Sequence, residues 1–190
     1  MKSAHSTSPR QSDATKESIL NAARARFATE GYERATIRAI AADAGIDPAM
    51  VMRYYGNKEK LFAAAAEFDL RLPNLTTIPR GRVGTRLVEH LLERWESDDT
   101  LRALLRAAVT NEIAATRMRK IFEMQLGPTI ALLSSDPTTA ATRAGLIASQ
   151  ALGLALCRYV LRLPPVTAMS TADVVAWLGP TFQHYIVGKR

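Results

Sequence analysis

The 190-residue chain has a single cysteine, Cys157, so no disulfide can form within it. Set among Leu154, Leu156 and Tyr159, that thiol reads as a small buried apolar residue, while the neighbouring Arg158 keeps a reactive thiolate open as the alternative. Aromatic residues make up only 6% of the chain and no stretch alternates apolar with polar positions, which argues against a sheet. Its histidines, His5, His90 and His184, are scattered, and no Cys, His or carboxylate spacing marks a metal site. Also missing are a glycine loop for phosphate, a Gly-x-Ser-x-Gly turn and a nucleophile beside a base, so neither an enzyme nor a cofactor is expected. Glu93/Glu96 and Asp98/Asp99 read as a solvated face and a helix cap. On the sequence, no run is long or apolar enough to cross a bilayer and the N-terminus lacks a signal-peptide core, so a cytoplasmic protein with no membrane partner is expected.

What is plentiful is alanine, leucine and arginine. The expected fold is therefore all-α. The net charge of +7 suits a polyanionic partner, but residues 1–60 carry ten Lys or Arg against seven Asp or Glu and the remainder fifteen against eleven. The excess is spread along the chain, so local placement has to carry any claim of nucleic-acid binding.

The informative stretch is Thr36–Tyr55, TIRAIAADAGIDPAMVMRYY. Thr36 suits an N-cap, and Ile37, Ile40, Ala41 and Ala44 recur at helical spacing. Gly45 stands where a left-handed residue ends a helix, with Ile46 folding back onto it. Asp47-Pro48 then starts a second helix at once, an N-cap followed by a residue whose missing N–H costs nothing there. With Val51 and Tyr55 inward, Pro48, Ala49, Met50, Met52, Arg53 and Tyr54 are left outward. Two short helices joined this way form a helix-turn-helix, whose second helix enters the major groove of DNA. Upstream, Ile19, Ala22, Ala23, Phe27 and Ala28 make one stripe that stops at Gly31; downstream, Asn57 caps a further helix predicted over 58–72.

The order ILNAARARFATEGYERATIRAIAADAGIDPAMVMRYYGNKEKLF closely resembles the N-terminal domain of the TetR family of transcriptional regulators. The resemblance rests on Phe-x-x-x-Gly-Tyr, Thr-Ile-x-x-Ile-Ala, Ala-Gly-Ile and Tyr-Tyr-Gly-Asn-Lys-Glu, and covers about fifty residues. It implies that Thr36 and Lys58 hold phosphates and that Pro48, Ala49, Met50 and Arg53 face base edges, Arg53 toward guanine and Ala49 or Met50 toward thymine methyls. Arg38 and Asp47 belong to the same candidate set. The family commonly has tyrosine at the position of Met52 and often histidine at that of Arg53, which shifts the tyrosine-to-phosphate contact toward Tyr54. The partner expected is a palindromic double-stranded operator.

Residues 1–13, with Lys2, His5 and Arg10, read as a disordered polar arm, 14–60 as the DNA-binding domain and 61–190 as a ligand-binding and dimerisation domain. In the last, helices are predicted over 85–95, about 101–108, 111–133 with a bend at Gly127-Pro128, a long one to Leu163, and 171–186. The last two are apolar on most sides and call for a second copy, the interface candidates being Leu146, Gln150, Gly153, Leu154, Cys157, Leu161, Val174, Leu178, Phe182 and Tyr185. The resemblance implies the same homodimer, and an effector site in this domain. Candidates to hold an apolar or aromatic small molecule are Phe68, Trp95, Met118, Phe122 and Met124, with Asn111, Arg117 or Arg158 as polar anchors. The segments PRGRVGTRLVEHLLERWE and LGLALCRYVLRLPPV resemble a C-terminal domain type found in part of the family. The rival readings are a helical small-molecule carrier or enzyme with a purely structural helix-turn-helix, and a non-specific DNA binder.

Overall fold

A computed structural model describes residues 9–134 and 136–188. Among these all regular structure is helical, with no strand, and the chain divides into units 1–67 and 68–190.

The first unit holds α1 (Pro9–Arg34), α2 (Ile37–Ala44), α3 (Pro48–Tyr55) and α4 (Lys58–Ala65). Helix α1 begins at Pro9, so residues 9–13, expected in a polar arm, are helical; the rest of that arm lies outside the described residues. Gly31, at φ 78° and ψ 169°, breaks α1 where the sequence placed its end. The core is Ile19, Ala23 and Phe27 of α1 against Ile40, Val51, Leu61 and Phe62. Phe62 sets its edge to both Phe27 and Tyr32 at centroid distances of 4.9 Å. Helix α4 stops at Ala65, seven residues before the predicted end. Beyond it the backbone is not helical: Phe68 and Leu70 are buried, Asp69 and Arg71 are exposed, and Arg71 takes φ 49°.

The second unit holds α5 (Val83–Ser97), α6 (Asp99–Ala108), α7 (Glu112–Ile121), α8 (Gly127–Leu133), α9 (Ala140–Ala155), the single turn α10 (Pro164–Thr167) and α11 (Thr171–Val187). Just before Gly127-Pro128, where the sequence suggests a bend, a π-helical turn over Phe122–Leu126 joins α7 to α8. A second π turn, Leu156–Val160, ends α9. The run Pro137–Val160 is, by length and composition, long and apolar enough to cross a membrane, which corrects the sequence expectation. Its apolarity comes largely from alanine and leucine; Ile147, Ala151 and Ala155 pack inside the unit, and Arg143 binds the Tyr185 and Gly188 carbonyls at 2.7 and 3.0 Å.

Helices α5 and α11 cross closely. A Cβ on Gly84 would stand 2.3 Å from the Gln183 backbone nitrogen and 2.5 Å from the Gly179 carbonyl oxygen. The Gln183 side chain fastens the crossing, accepting from Gly84 N at 2.8 Å and donating to Arg80 O at 2.8 Å. Gly→Ala within a helix ordinarily gains about 0.5–1 kcal/mol. Here the methyl meets backbone, so Gly84→Ala should destabilise the unit by about 1–3 kcal/mol and lower its melting temperature. Gly81→Ala, with nothing within 4 Å of the added carbon, should leave it nearly unchanged, and thermal denaturation of the two variants checks the contrast.

Candidate nucleic-acid interface

The geometry of α2 and α3 is fixed by side chains at their ends. Thr36 accepts from Ala39 N at 3.1 Å and Asp47 from Ala49 N at 2.7 Å, each satisfying a donor the helix leaves free. Gly45 takes φ 66° and ψ 33°, and the Gly45 and Ile46 amides return to Ala42 O and Ala41 O at 3.1 and 2.9 Å. Asn57 caps α4 by accepting from Lys60 N at 2.7 Å.

Helix α3 is seated through Val51, fully buried, and through the Tyr55 hydroxyl, which donates to Lys16 O at 3.1 Å. Burial raises the Tyr55 pKa, so this donor keeps its proton. Pro48, Ala49, Met52 and Arg53 are exposed, whereas Met50 and Tyr54 are half-buried and Lys16 Nζ lies 5.9 Å from the Tyr54 ring centre. Met52 is 43% exposed. Among the described residues Arg38 and Arg53 have no hydrogen-bond or ion-pair partner, so both guanidinium groups are available. Thr36 is exposed and its hydroxyl proton is uncommitted by the cap. Lys58 lies 4.6 Å from the centre of the Tyr32 ring and donates to Glu33 O at 3.1 Å, leaving two of its three donors. The sequence-derived residues thus gather around α3 and the starts of α2 and α4.

One contact the sequence reading missed is the clamp between α1 and α2. The Arg26 guanidinium grips Asp43 through two nitrogens, Nη2 donating to Oδ1 at 2.8 Å, and also binds Glu30. The hydrogen bond from Arg26 holds the Asp43 carboxyl below its ordinary value of 3.8. Nothing in the spacing of Arg26 and Asp43, seventeen apart, marks the pair.

In the second unit the effector candidates divide. A largely apolar groove of about 540 Å³ lies among α6, α7, the π turn after it and α9, and of the eight residues only Met118 and Phe122 line it, beside Leu105, Ala144, Ala148 and Leu152. Trp95 is buried and stacks on Tyr159 at 6.4 Å, and Arg158 donates to Val166 O and Met169 O at 2.8 and 2.9 Å as a structural tie. The Tyr159 hydroxyl donates to Glu96 at 3.1 Å, and burial pushes its pKa up to about 12. Asn111 caps α7, Met124 is 72% exposed, and Phe68 packs under Arg94. Neither these nor Arg117 borders the groove.

The dimer candidates divide too. Leu146, Gln150, Gly153 and Leu161 are exposed and Leu154, Cys157, Leu178 and Tyr185 half-buried, but Val174 and Phe182 are buried in the unit's own core and reach no surface. Trp177, not singled out for the interface from the sequence, is 77% exposed. An α-helix apolar on every side does not announce which face looks out.

Residues 19–65 match a family of bacterial regulatory proteins, the tetR family, and residues 81–186 match a tetracyclin repressor-like C-terminal domain. The chain is 28% identical over 135 residues to the HTH-type transcriptional repressor AcnR of Corynebacterium jeikeium, covering 58% of this chain and 71% of that protein. It is 45% identical over 58 residues to the HTH-type transcriptional repressor SCO4008 of Streptomyces coelicolor; that match spans 30% of each chain. The crystal structure of the TetR-family regulator SCO0857 of Streptomyces coelicolor superposes with a TM-score of 0.66 at 28% identity, covering 97% of this chain and 99% of the other. The multidrug binding protein EbrR, complexed with proflavin, shares the fold at a TM-score of 0.63 and 17% identity, covering 90% and 99%.

The clamp gives a pH test. Asp43 is held below 3.8, so its contribution is complete above that value and is lost as pH falls through the lower folded value. Asp43→Asn should loosen α2 by a constant amount at and above about pH 5, with the difference from the parent protein closing below 3.8. Exchange of the α2 amides in the full chain checks this, and a difference that persists unchanged into acid contradicts it.

Proposed function

This chain belongs to the tetR family of bacterial regulatory proteins and is a DNA-binding transcriptional regulator, and we propose that it acts as a homodimeric repressor, released from a palindromic operator when a small apolar or aromatic molecule fills its groove. The observation that carries the DNA side is the outward face of α3, with its exposed, unpaired Arg53. Phosphates are held by Thr36, Lys58 and Arg38 near helix starts, where backbone N–H groups also favour anions. Arg53 is the candidate for a bidentate contact to guanine. The protein works in the cytoplasm, where its operator is.

Dimerisation uses the outer faces of α9 and α11. Exposed Leu146, Leu161 and Trp177 would cost solvation in a lone protomer and become contacts in a pair, with Trp177 the natural anchor. The groove supports the effector half of the proposal: its size suits a small molecule, and alanine and glycine give it smooth walls. Phe122 and Glu123 of the π turn line it, while Gln125 of the same turn donates to Phe68 O at 2.9 Å and accepts from Leu70 N at 2.6 Å. A ligand that moves the turn therefore moves the segment next to residues 1–67.

Selection of bound sequences from random duplex DNA at stated salt tests the operator. The expected outcome is a palindrome with half-sites about one helical turn apart, carrying a guanine that Arg53→Ala no longer selects, at a cost of about 1–3 kcal/mol. Folded protein that enriches nothing would refute the reading. For the effector, Ala148→Phe should fill the groove, keep operator affinity and abolish release by any compound that releases the parent protein, as read by mobility shift.

A further inference from the structure

Every residue that lines the groove of the second unit is apolar or glycine except Arg119 and Glu123. Standing four apart, the two have the spacing at which an arginine and a glutamate on one helix pair with each other. They do not pair here. Arg119 is turned back toward the start of α7, where its Nη2 donates to the Glu112 carboxylate and, at 2.8 Å, to the Thr116 hydroxyl. The bond from Arg119 holds the Glu112 carboxyl below its ordinary value of 4.5, so both members of that pair are charged at neutral pH. Glu123 is exposed at the groove and, among the described residues, has no hydrogen-bond or ion-pair partner. No lysine, histidine or second arginine borders the groove to offset it.

The groove thus carries one neutralised cation and one uncompensated anion. A ligand with a carboxylate would meet Glu123 while Arg119 is already committed to Glu112. A ligand with a positive centre would gain an ion pair at the same place where its apolar body leaves water, and opposite charges attract more strongly beside an apolar wall than in bulk water. We propose that the effector is an apolar organic cation, a protonated amine or its quaternary equivalent, whose body lies along Met118, Phe122 and Leu152 and whose positive centre meets Glu123. This inference rests on the groove being the effector site. Glu112, which does not border the groove, is a positioning residue for it: by holding Arg119 it keeps Glu123 free for the ligand.

Three probes that share one aromatic body separate charge from shape: 1-pyrenemethylamine, a cation at neutral pH, 1-pyrenemethanol, which is neutral, and the anion 1-pyrenecarboxylate. Binding to the full-length protein at stated salt, followed by pyrene fluorescence, should rank the amine first, the alcohol about fivefold to tenfold weaker, and the carboxylate last. Glu123→Gln should erase the advantage of the amine. Glu112→Gln, which releases Arg119 toward Glu123, should reduce it without altering the groove wall, and raising the salt should shrink it in the parent protein. Equal affinity for amine and alcohol, tightest binding of the carboxylate, or an advantage that Glu123→Gln leaves intact overturns the inference while the groove stands as a binding site. If no probe binds the parent protein, or if Ala148→Phe binds the probes as well as the parent does, the groove reading itself fails and this inference with it.

Discussion

An eight-residue helix is not stable on its own, because two turns return too few hydrogen bonds for the cost of nucleation. Helix α3 exists only because it is fixed from outside: Asp47 supplies the first acceptor, Gly45 turns the chain left-handed just before it, and Val51 and Tyr55 pin one side. Everything the first unit can do depends on this. Once one side is seated, the residues presented outward are settled by rotation about the axis, and they are an arginine, a methionine, an alanine and a proline. The Arg26 to Asp43 clamp serves the same end one step back, since α2 must hold still for the turn after it to aim α3. As an exposed pair it adds little stability by itself. Its worth is in orientation.

The second unit solves the opposite problem. Its helices have more apolar surface than one core can absorb. Helix α9 divides that surface three ways: Ile147, Ala151 and Ala155 inward, Ala144, Ala148 and Leu152 along the groove, Leu146 outward. Small residues make this possible, because alanine and glycine let helices approach without filling the space between them. The same composition explains why the run resembles a membrane span by length and apolarity. Where the crossing is tightest, at Gly84 and Gly179, nothing larger than hydrogen fits on Gly84.

What was legible in the sequence was local. Thr36, Asp47 and Asn57 cap helices through residues two or three ahead, and Gly45 turns the chain through its own backbone, so each signal and its effect lie within one window. The family resemblance rests on this same stretch. Features set by distant residues were not legible. Phe68 falls at helical spacing after Leu61 and Ala65, yet the segment is not helical, because His90 Nε2 lies 2.7 Å from the Leu70 carbonyl and Gln125 claims the backbone on both sides of Asp69. Trp95, Arg117 and Met124 looked alike as candidates for a pocket, and only the packing of α6, α7 and α9 separates them from Met118 and Phe122. Val174 and Phe182, expected at the interface, are buried and Trp177 is exposed for the same reason: periodicity reveals that α11 has an apolar side, not which of its sides is buried.

This non-helical segment also bears on how a ligand in the groove would act. A ligand shifts an equilibrium only by the difference in its affinity for the two states, and such couplings are typically about 1–3 kcal/mol. That is the net worth of one or two hydrogen bonds. A continuous rigid helix from the first unit into the second would need to be displaced as a whole. Because α4 stops at Ala65, the stretch around Phe68 and Leu70 is held instead by a few discrete bonds, two of them from Gln125. Gln125 sits in a π turn, a rare backbone form that is frequently associated with functional sites. Phe122 and Glu123, three and two residues before it, border the groove. Two of the bonds that would have to change are thus of the right energy and carried on the turn that also borders the groove.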